Sequence, residues 1–321
     1  MGNGIAIAPL KTLTGTANPK LAEALCAHLG VKLSEAHIGR FPDGELEVKV
    51  YDDVRGSDIF IIQPTCHPQN ETLMELLLLI DSVKRASADR VTAVLPYYGY
   101  ARKDRKDEGR VPITAKLVAN MIVTAGASRV LTMDLHAPQI QGFFDIPVDH
   151  LYAYPVLLKH IRAMNLDNFV CASPDIGSMK MAVGYSHALG TSVASCHKQR
   201  VDGESVKITA VVGDVRGKNV LMFDDLIASG GSLACAATFL KDAGAEDIYV
   251  CATHPVMCGN AFQILNEAPI KKIMVTDTIP LPESGVPDKI EVVSVAGFLA
   301  EAIKRIHMNM SVSHLFQDGE L

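Results

Sequence analysis

In Val220-Leu-Met-Phe-Asp-Asp-Leu-Ile-Ala-Ser-Gly-Gly-Ser232 an apolar run gives way at once to two acids, and these to a small turn rich in hydroxyls and glycine. Val220–Phe223 reads as a short buried strand, and a helical pattern runs from Leu233 through Leu240. Strand, acid pair, glycine turn and helix start together make a phosphate cradle. Glycines let the backbone approach an anion, the N–H groups converge on it, and the helix dipole adds partial positive charge. Asp224 and Asp225 fall where the carboxyl end of a strand meets ligand. Carboxylates there accept hydrogen bonds from sugar hydroxyls, or hold a metal that does. The segment is not a Walker loop, because no Gly-Lys-Ser/Thr follows, nor the dinucleotide fingerprint, in which no acid pair precedes the glycines. A tight strand–helix turn with a solvated acid pair is the plain alternative for this stretch taken alone.

The chain around it has 321 residues, which at about 150 per domain suggests two domains. Hydrophobic residues make up 48% and charged residues 21%, a globular balance able to fill two cores. A net charge of −6 implies no general nucleic-acid surface. The seven cysteines are scattered, with no CxxC pair, which favours reduced thiols in a cytoplasmic protein over a disulfide framework or a zinc site. The N-terminus lacks a basic region followed by an apolar one, so no secretory signal is expected. Leu76–Ile80 is too short to span a membrane.

Upstream, Ile5–Leu10 reads as a strand, and Asn18 and Pro19 open a helix over 19–29 that Gly30 closes. Gly39-Arg-Phe-Pro-Asp-Gly-Glu45 is turn chemistry leading into the alternating Leu46, Val48 and Val50. Ile59–Ile62 is a continuous apolar run suited to a central parallel strand, followed by a Leu-rich helix over 69–85. Strand Val91–Leu95 leads into a loop carrying Arg102, Lys103, Arg105, Lys106 and Arg110, with Asp104, Asp107 and Glu108 among them. Taken alone, that is a solvated charge run. Leaving a strand's carboxyl end, it also has the makings of a mobile cationic lid that closes over phosphates. A helix over 112–125 and strand Val130–Met133 precede Asp134-Leu-His136, whose acid and imidazole at i, i+2 can both face a ligand. After about residue 150 the pattern starts again. Phe169–Ser173 parallels Ile59–Ile62, Val193–Cys196 with Lys198 and Arg200 parallels Val91–Leu95 with its basic loop, and Val220–Asp225 parallels Val130–His136. This suggests an internal duplication, with Asp134-Leu-His136 as the degenerate counterpart of the Asp224 loop and a crevice between the two domains.

Phe41–Glu45, Tyr100–Arg102, Asp134–His136, Ser173–Gly177 and Asp224–Ser232, in this order, resemble the motifs of the ribose-phosphate diphosphokinase (phosphoribosyl pyrophosphate synthetase) family, of type I phosphoribosyltransferase fold. The resemblance covers nearly the whole chain. It implies an α/β protein of two similar phosphoribosyltransferase-like domains, each a mainly parallel sheet flanked by helices. The first would span 1–150, with a tail over 307–321 packed on it, and the second 151–306. The implied reaction moves the diphosphoryl group of ATP to the anomeric hydroxyl of ribose 5-phosphate, giving 5-phosphoribosyl 1-diphosphate and AMP for nucleotide biosynthesis.

By the same resemblance Phe41, Asp43, Gly44 and Glu45 hold adenine from a neighbouring subunit, and Arg102 and Lys103 of the lid contact ATP. His136 lies near its phosphates and with Asp175 binds Mg²⁺, for which the acid pair is a further candidate. Lys198 and Arg200 are catalytic, placed to meet developing charge. Arg200, Asp224, Asp225, Ala228, Ser229, Gly230, Gly231 and Ser232 bind ribose 5-phosphate. The resemblance further implies a homo-oligomer of dimer units, in the family a hexamer, and a tail Ser311–Phe316 like that of members activated by phosphate and inhibited by ADP. No nucleic acid or membrane partner is implied. The chain departs from the family at Lys103, where Gln is usual, and at Ala228, where the fuller loop reads Asp-Thr-Gly-Gly-Thr. It departs again at Gln199 and most of all over 178–207. Two competing readings are a non-catalytic synthetase-like subunit, which loss of Lys198, Arg200 or His136 would have favoured, and a base-using phosphoribosyltransferase. The second would leave the Asp-Gly-Glu turn and Asp-Leu-His unexplained.

Overall fold

A computed structural model describes residues 8–201 and 205–316, and only the backbone of 198–201, 205–209 and 316. The chain separates into two compact units, one running to Tyr152 and resuming from Val295, the other formed by Ala153–Ser294.

Unit 1 is a five-stranded, all-parallel sheet in the order β1 (Leu10–Thr14), β4 (Asp58–Ile62), β5 (Arg90–Leu95), β6 (Arg129–Met133), β7 (Val148–Leu151). Every residue of β4 is buried, as a strand covered on both faces requires. Between strands run α1 (Pro19–Leu29), α2 (Gln69–Arg85) and α3 (Thr114–Ala125), and an antiparallel hairpin, β2 (Ala36–Arg40) with β3 (Leu46–Val50), stands apart. α1 forms where its signals put it: the Asn18 side chain accepts the Leu21 N–H, Pro19 opens the first turn, and Gly30 closes the helix in the left-handed region. Leu76, Leu79, Ile80 and Val83 of α2 are fully buried, so its leucine face is core.

Unit 2 begins with α4 (Tyr154–Ala163) and holds a seven-stranded sheet. Its order is β10 (Ser205–Val212), β9 (Val193–Val201), β8 (Phe169–Ser173), β11 (Asn219–Ile227), β12 (Ile248–Pro255), β13 (Lys272–Thr276), β14 (Ile290–Val293). Only the β9–β10 pair is antiparallel. α5 (Met179–Leu189), α6 (Gly231–Asp242) and α7 (Ala261–Glu267) complete it.

Three expectations are corrected. The first strand is β1, Leu10–Thr14, rather than Ile5–Leu10; its polar threonines are absorbed by the fold, Thr14 Oγ1 donating to the Ile62 carbonyl at 3.0 Å. Residues 5–7 lie outside the described ones. The last helix, α8 (Ala296–His307), was grouped with the second domain but belongs to unit 1, where it packs on α1, Gly297 lying against the His28 ring. There the fully buried Asp58 accepts from His307 Nδ1 at 2.8 Å and pairs with Arg90, fastening the end of α8 beneath the sheet.

The third correction concerns the duplication. Both units run strand, helix, hairpin, strand, helix, strand, helix, strand, strand, and both sheets place the five strands outside the hairpin in matching order, the hairpin standing apart in unit 1 and joining the sheet edge in unit 2. The matching register is β1 with β8, β2–β3 with β9–β10, β4 with β11, β5 with β12, and β6 with β13. The counterpart of the Asp224 loop is therefore the turn after β4, residues 63–68, and not Asp134-Leu-His136. Aligning β4, β5 and β6 with β8, β9 and β11 would require β9 to lie between β8 and β11, whereas β8 lies between β9 and β11.

Candidate active site

β11 carries the acid pair at the carboxyl end of unit 2's sheet. The strand does not stop at Phe223, because Leu226 and Ile227 continue in register with His254 and Pro255. α6 then starts at Gly231, preceded by Gly230 at φ +75°, ψ −10°. Gly230 is needed twice over. Its φ lies in the left-handed region, and a Cβ there would come within 2.8 Å of Leu265 Cγ on α7. A glycine before the helix has no side chain with which to cap it, so the opening N–H groups and dipole of α6 are of the kind an anion neutralises. Ser229 and Ser232 are both exposed at this turn. A second segment supports it from below: Met257 N–H donates to the Ile227 carbonyl at 2.9 Å and Cys258 N–H to the Ala228 carbonyl at 3.0 Å, with Met257 at φ +47°.

Asp224, Asp225 and Asp175 form an electrostatic cluster. Burial pushes the Asp224 carboxyl up to about 8, helped by repulsion from Asp225 and Asp175. The Asp225 N–H donates to Asp224 Oδ1 at 3.0 Å. Asp175, half-buried after β8, accepts the N–H groups of Gly177 at 2.9 Å and Ser178 at 3.3 Å on Oδ1, which orders the turn into α5. Lys198 and Arg200 lie on β9, beside β8, opposite Ile208 and Val206 of β10; their side chains are outside the described residues. The hairpin they stand on was not foreseen, since the run His197–Arg200 is polar.

The other expected residues lie in unit 1. Phe41, 47% exposed, stands at the β2–β3 turn, where Phe41 N–H donates to the Glu45 carbonyl at 2.9 Å, Gly44 sits at φ +94°, and Asp43 Oδ1 accepts the Glu45 N–H at 3.2 Å. In the loop after β5, Arg102 is exposed and Lys103 Nζ pairs with Asp107 at 2.8 Å; each holds the other's charged form, raising the lysine and lowering the acid. Gln139 donates to Asp104 at 2.8 Å, tying this loop to the 3-10 turn Pro138–Phe143 that follows Asp134-Leu-His136. Asp134 is buried at φ +37° and His136 is exposed. The bend between them is held by Leu135 N–H donating to His150 Nε2 at 2.9 Å.

Asp175 and the acid pair share unit 2, whereas His136, the other expected metal ligand, is in unit 1. Among the described residues no three His, Cys, Asp or Glu side chains converge as a metal cage. The crowded carboxylates of unit 2 nevertheless suit a hard divalent cation that completes its shell with water and phosphate oxygens. Sequence reading passed over Leu265 and His150 and took Met257 and Cys258 only as part of a mainly structural segment, His254–Gly259, that matches the family; all four support the motif residues from other elements. None of the seven cysteines forms a disulfide. Among the described residues no helix is long and apolar enough to cross a membrane.

Residues 10–126 match the family model described as the N-terminal domain of ribose phosphate pyrophosphokinase, and residues 204–317 that described as the phosphoribosyl synthetase-associated domain. Over 312 residues the chain is 54% identical to the ribose-phosphate pyrophosphokinase of Rhodopirellula baltica, covering 96% of this chain and 99% of the relative. With that of Caldanaerobacter subterraneus subsp. tengcongensis the identity is 53%, covering 96% and 98%. The phosphoribosylpyrophosphate synthetase structure from Mycobacterium smegmatis superposes with a TM-score of 0.89 at 40% identity, covering 94% of this chain and 99% of that one. The fold, the ordered motifs and this near full-length identity agree: the chain belongs to the ribose-phosphate pyrophosphokinase family of transferases.

Proposed function

We propose that the chain transfers the diphosphoryl group of ATP to the anomeric hydroxyl of ribose 5-phosphate, with unit 2 binding the sugar phosphate and unit 1 the nucleotide. The observation that carries this reading is the sequence of parts at the end of β11: two carboxylates, a turn with Gly230 in the left-handed region, and the open end of α6. The turn's N–H groups and the hydroxyls of Ser229 and Ser232 grip the 5-phosphate, while Asp224 and Asp225 accept from the ribose hydroxyls. Ala228 lacks the carboxylate that a base-using transferase has here for its leaving purine or pyrimidine, and a diphosphokinase has no such leaving group. In unit 1, Phe41 stacks on adenine while Asp43 and Glu45 accept from its amino group. Arg102 and Lys103 close on the phosphates, and Lys103 exchanges Asp107 for a phosphate oxygen. Lys198 and Arg200 meet the charge that grows on the transferred group, which in phosphoryl chemistry is most of what a protein supplies.

Mg²⁺ fits the crowded carboxylates: Asp175 and the acid pair would hold it in unit 2, His136 would serve as a metal ligand in unit 1, and when bound it would neutralise phosphate oxygens. The carboxylate crowding that, after burial, raises the Asp224 carboxyl is the kind of charge such a cation would offset. The protein acts as a homo-oligomer in which Phe41 of one subunit serves the site of another. The decisive assay incubates it with ATP, Mg²⁺ and ribose 5-phosphate and separates the nucleotides. AMP and 5-phosphoribosyl 1-diphosphate should appear in equal amounts, and chelation should abolish both. ADP in place of AMP, or no turnover with intact protein, refutes the reading.

A further inference from the structure

We infer that Thr65 is a positioning residue for the cationic lid: its buried hydroxyl clasps the stem from which Arg102 and Lys103 project. The inference rests on the proposed role of that lid over ATP.

The two units hold topologically equivalent turns after β4 and β11, yet their chemistry is opposite. Residues 63–68 read Gln-Pro-Thr-Cys-His-Pro, with no glycine, and the two prolines remove N–H donors that a phosphate would need. Where do the remaining polar groups go? Thr65 N–H donates to the Tyr97 carbonyl at 3.0 Å, and Thr65 Oγ1 reaches the same carbonyl at 3.3 Å. The hydroxyl in turn accepts the Gly99 N–H at 2.7 Å. Thr65 is completely buried and Gly99 is buried. The backbones meet so closely that a Cβ on Gly99 would stand 2.2 Å from the Thr65 carbonyl oxygen. The jaw is itself held, since Thr72 Oγ1 of α2 donates to the Cys66 carbonyl at 2.8 Å.

The lid's far end is secured separately. Tyr98 Oη donates to the Ala115 carbonyl at 2.7 Å, Thr114 Oγ1 to the Tyr100 carbonyl at 2.9 Å, and Ala115 N–H to the Lys103 carbonyl at 3.2 Å. Those bonds join the stem to the start of α3, where the lid ends. The Thr65 clasp joins it to β4 and α2, and so to the sheet. Tyr100, next in the chain, holds φ +62°, so the direction in which the lid departs depends on where Gly99 is fixed. Thr65 touches no substrate in this scheme and acts through the stem.

A hydroxyl both donates and accepts here; valine has the same shape and can do neither, leaving the buried Gly99 N–H unpaired. In Thr65→Val, trypsin should cut within 102–110 of the ligand-free protein roughly tenfold faster, by release of the stem. The value of kcat should fall roughly 10- to 100-fold with a rise in KM for ATP, because an ångström of misplacement is enough for that. Calorimetric affinity for ribose 5-phosphate should stay within about twofold, as binding to unit 2 is independent of the clasp. Thr65→Ser should restore all three readouts, and Thr65→Ala should reproduce the valine variant and decides the matter if valine fails to fold. The inference is overturned if tryptic cleavage and kcat match wild type, if serine is as impaired as valine, or if ribose 5-phosphate affinity falls along with ATP use. Faster cleavage with unchanged kcat likewise overturns the positioning role. Arg102→Ala separates the two readings: unchanged KM for ATP there means the lid assignment itself has failed.

Discussion

Asp224 is the residue at which binding and stability should pull in opposite directions, and Asp224→Asn separates them. Its carboxyl is pushed up from 3.8 to about 8 by burial and by the Asp225 and Asp175 carboxylates. A folded-state value above the unfolded one means the folded chain holds the proton more tightly. The contribution to stability is therefore greatest below the ordinary value of 3.8 and is lost progressively as pH rises to about 8, beyond which it stays flat. At about 1.4 kcal/mol per unit, the full shift sets a ceiling of roughly 6 kcal/mol. Part of it is repulsion shared with two neighbours that remain, so a gain of about 2–4 kcal/mol in the variant at pH 9 is the working figure. For a unit of this size, that is a rise in melting temperature of roughly 4–16 °C. Asparagine keeps an oxygen for the Asp225 N–H, so the loop geometry survives. The assay is a pair of thermal melts across pH 4–9 without divalent cation. The variant's advantage should be near zero at pH 4, climb through the neutral range and level off above pH 8. Turnover should meanwhile collapse, since the lost carboxylate is one of those proposed to accept from ribose. A difference that does not change with pH, or a variant less stable than wild type at pH 9, would falsify the burial argument.

Further outcomes follow from the same geometry. Ser232→Ala should raise KM for ribose 5-phosphate about 10- to 150-fold by removing a charge-assisted hydrogen bond, leaving that for ATP nearly unchanged; the reverse pattern would exchange the roles of the two units. Lys198→Ala should lower kcat on the order of 100-fold or more with small effects on KM, if the lysine acts on the transition state, and near-normal turnover would remove it from the mechanism. Gly230→Ala should abolish ribose 5-phosphate binding, because the methyl meets Leu265 at 2.8 Å while φ stays at +75°; tight binding by that variant in calorimetry would deny the turn its role. Subunits inactivated by Phe41→Ala, mixed with subunits inactivated by Asp224→Ala, should regain activity, and no rescue despite demonstrated exchange would mean each chain binds ATP alone.

Much of the fold was legible because its strands are apolar on both faces and its helices carry local punctuation. Ile59–Ile62 and the Asn18-Pro19 to Gly30 helix needed no tertiary information. β1 was misplaced because Lys11, Thr12 and Thr14 disguise it, and their polar groups are satisfied only once Cys26 and Ile62 are in place. The β9–β10 hairpin was invisible for a related reason: an edge pair can carry His197–Arg200 without the apolar run that marks a central strand. The site motifs could be read because acids, glycines and hydroxyls lie within a few residues of one another. Their supports could not. Thr65 meets Gly99 across 34 positions, Met257 reaches back to Ile227, and Leu265 lies under Gly230. Only the order of strands brings these together.

That order also explains why the duplication was read one strand out of register. Any parallel α/β unit repeats an apolar run followed by a loaded turn, so sequence alone aligns strand ends by their chemistry. Hydrogen bonding aligns them by position, and the two need not agree after one copy has changed its task. Here position pairs Asp224–Ser232 with Gln63–Pro68. The first turn has glycines at its tip and a helix whose opening N–H groups suit an anion. The second has prolines at both ends, and behind it the buried Glu75, which takes the Thr16 N–H at 2.9 Å and Gln63 Nε2 at 2.8 Å. A phosphate placed there would find fewer donors and a carboxylate already using those nearby. Unit 1 therefore lacks the glycine turn of unit 2 at its equivalent point, and its turn there braces the segment after β5. In unit 2 the support runs the other way round: the segment after β12 braces the turn after β11. The contact between these neighbouring elements is kept in both copies, and what differs is which partner carries the ligand-facing residues.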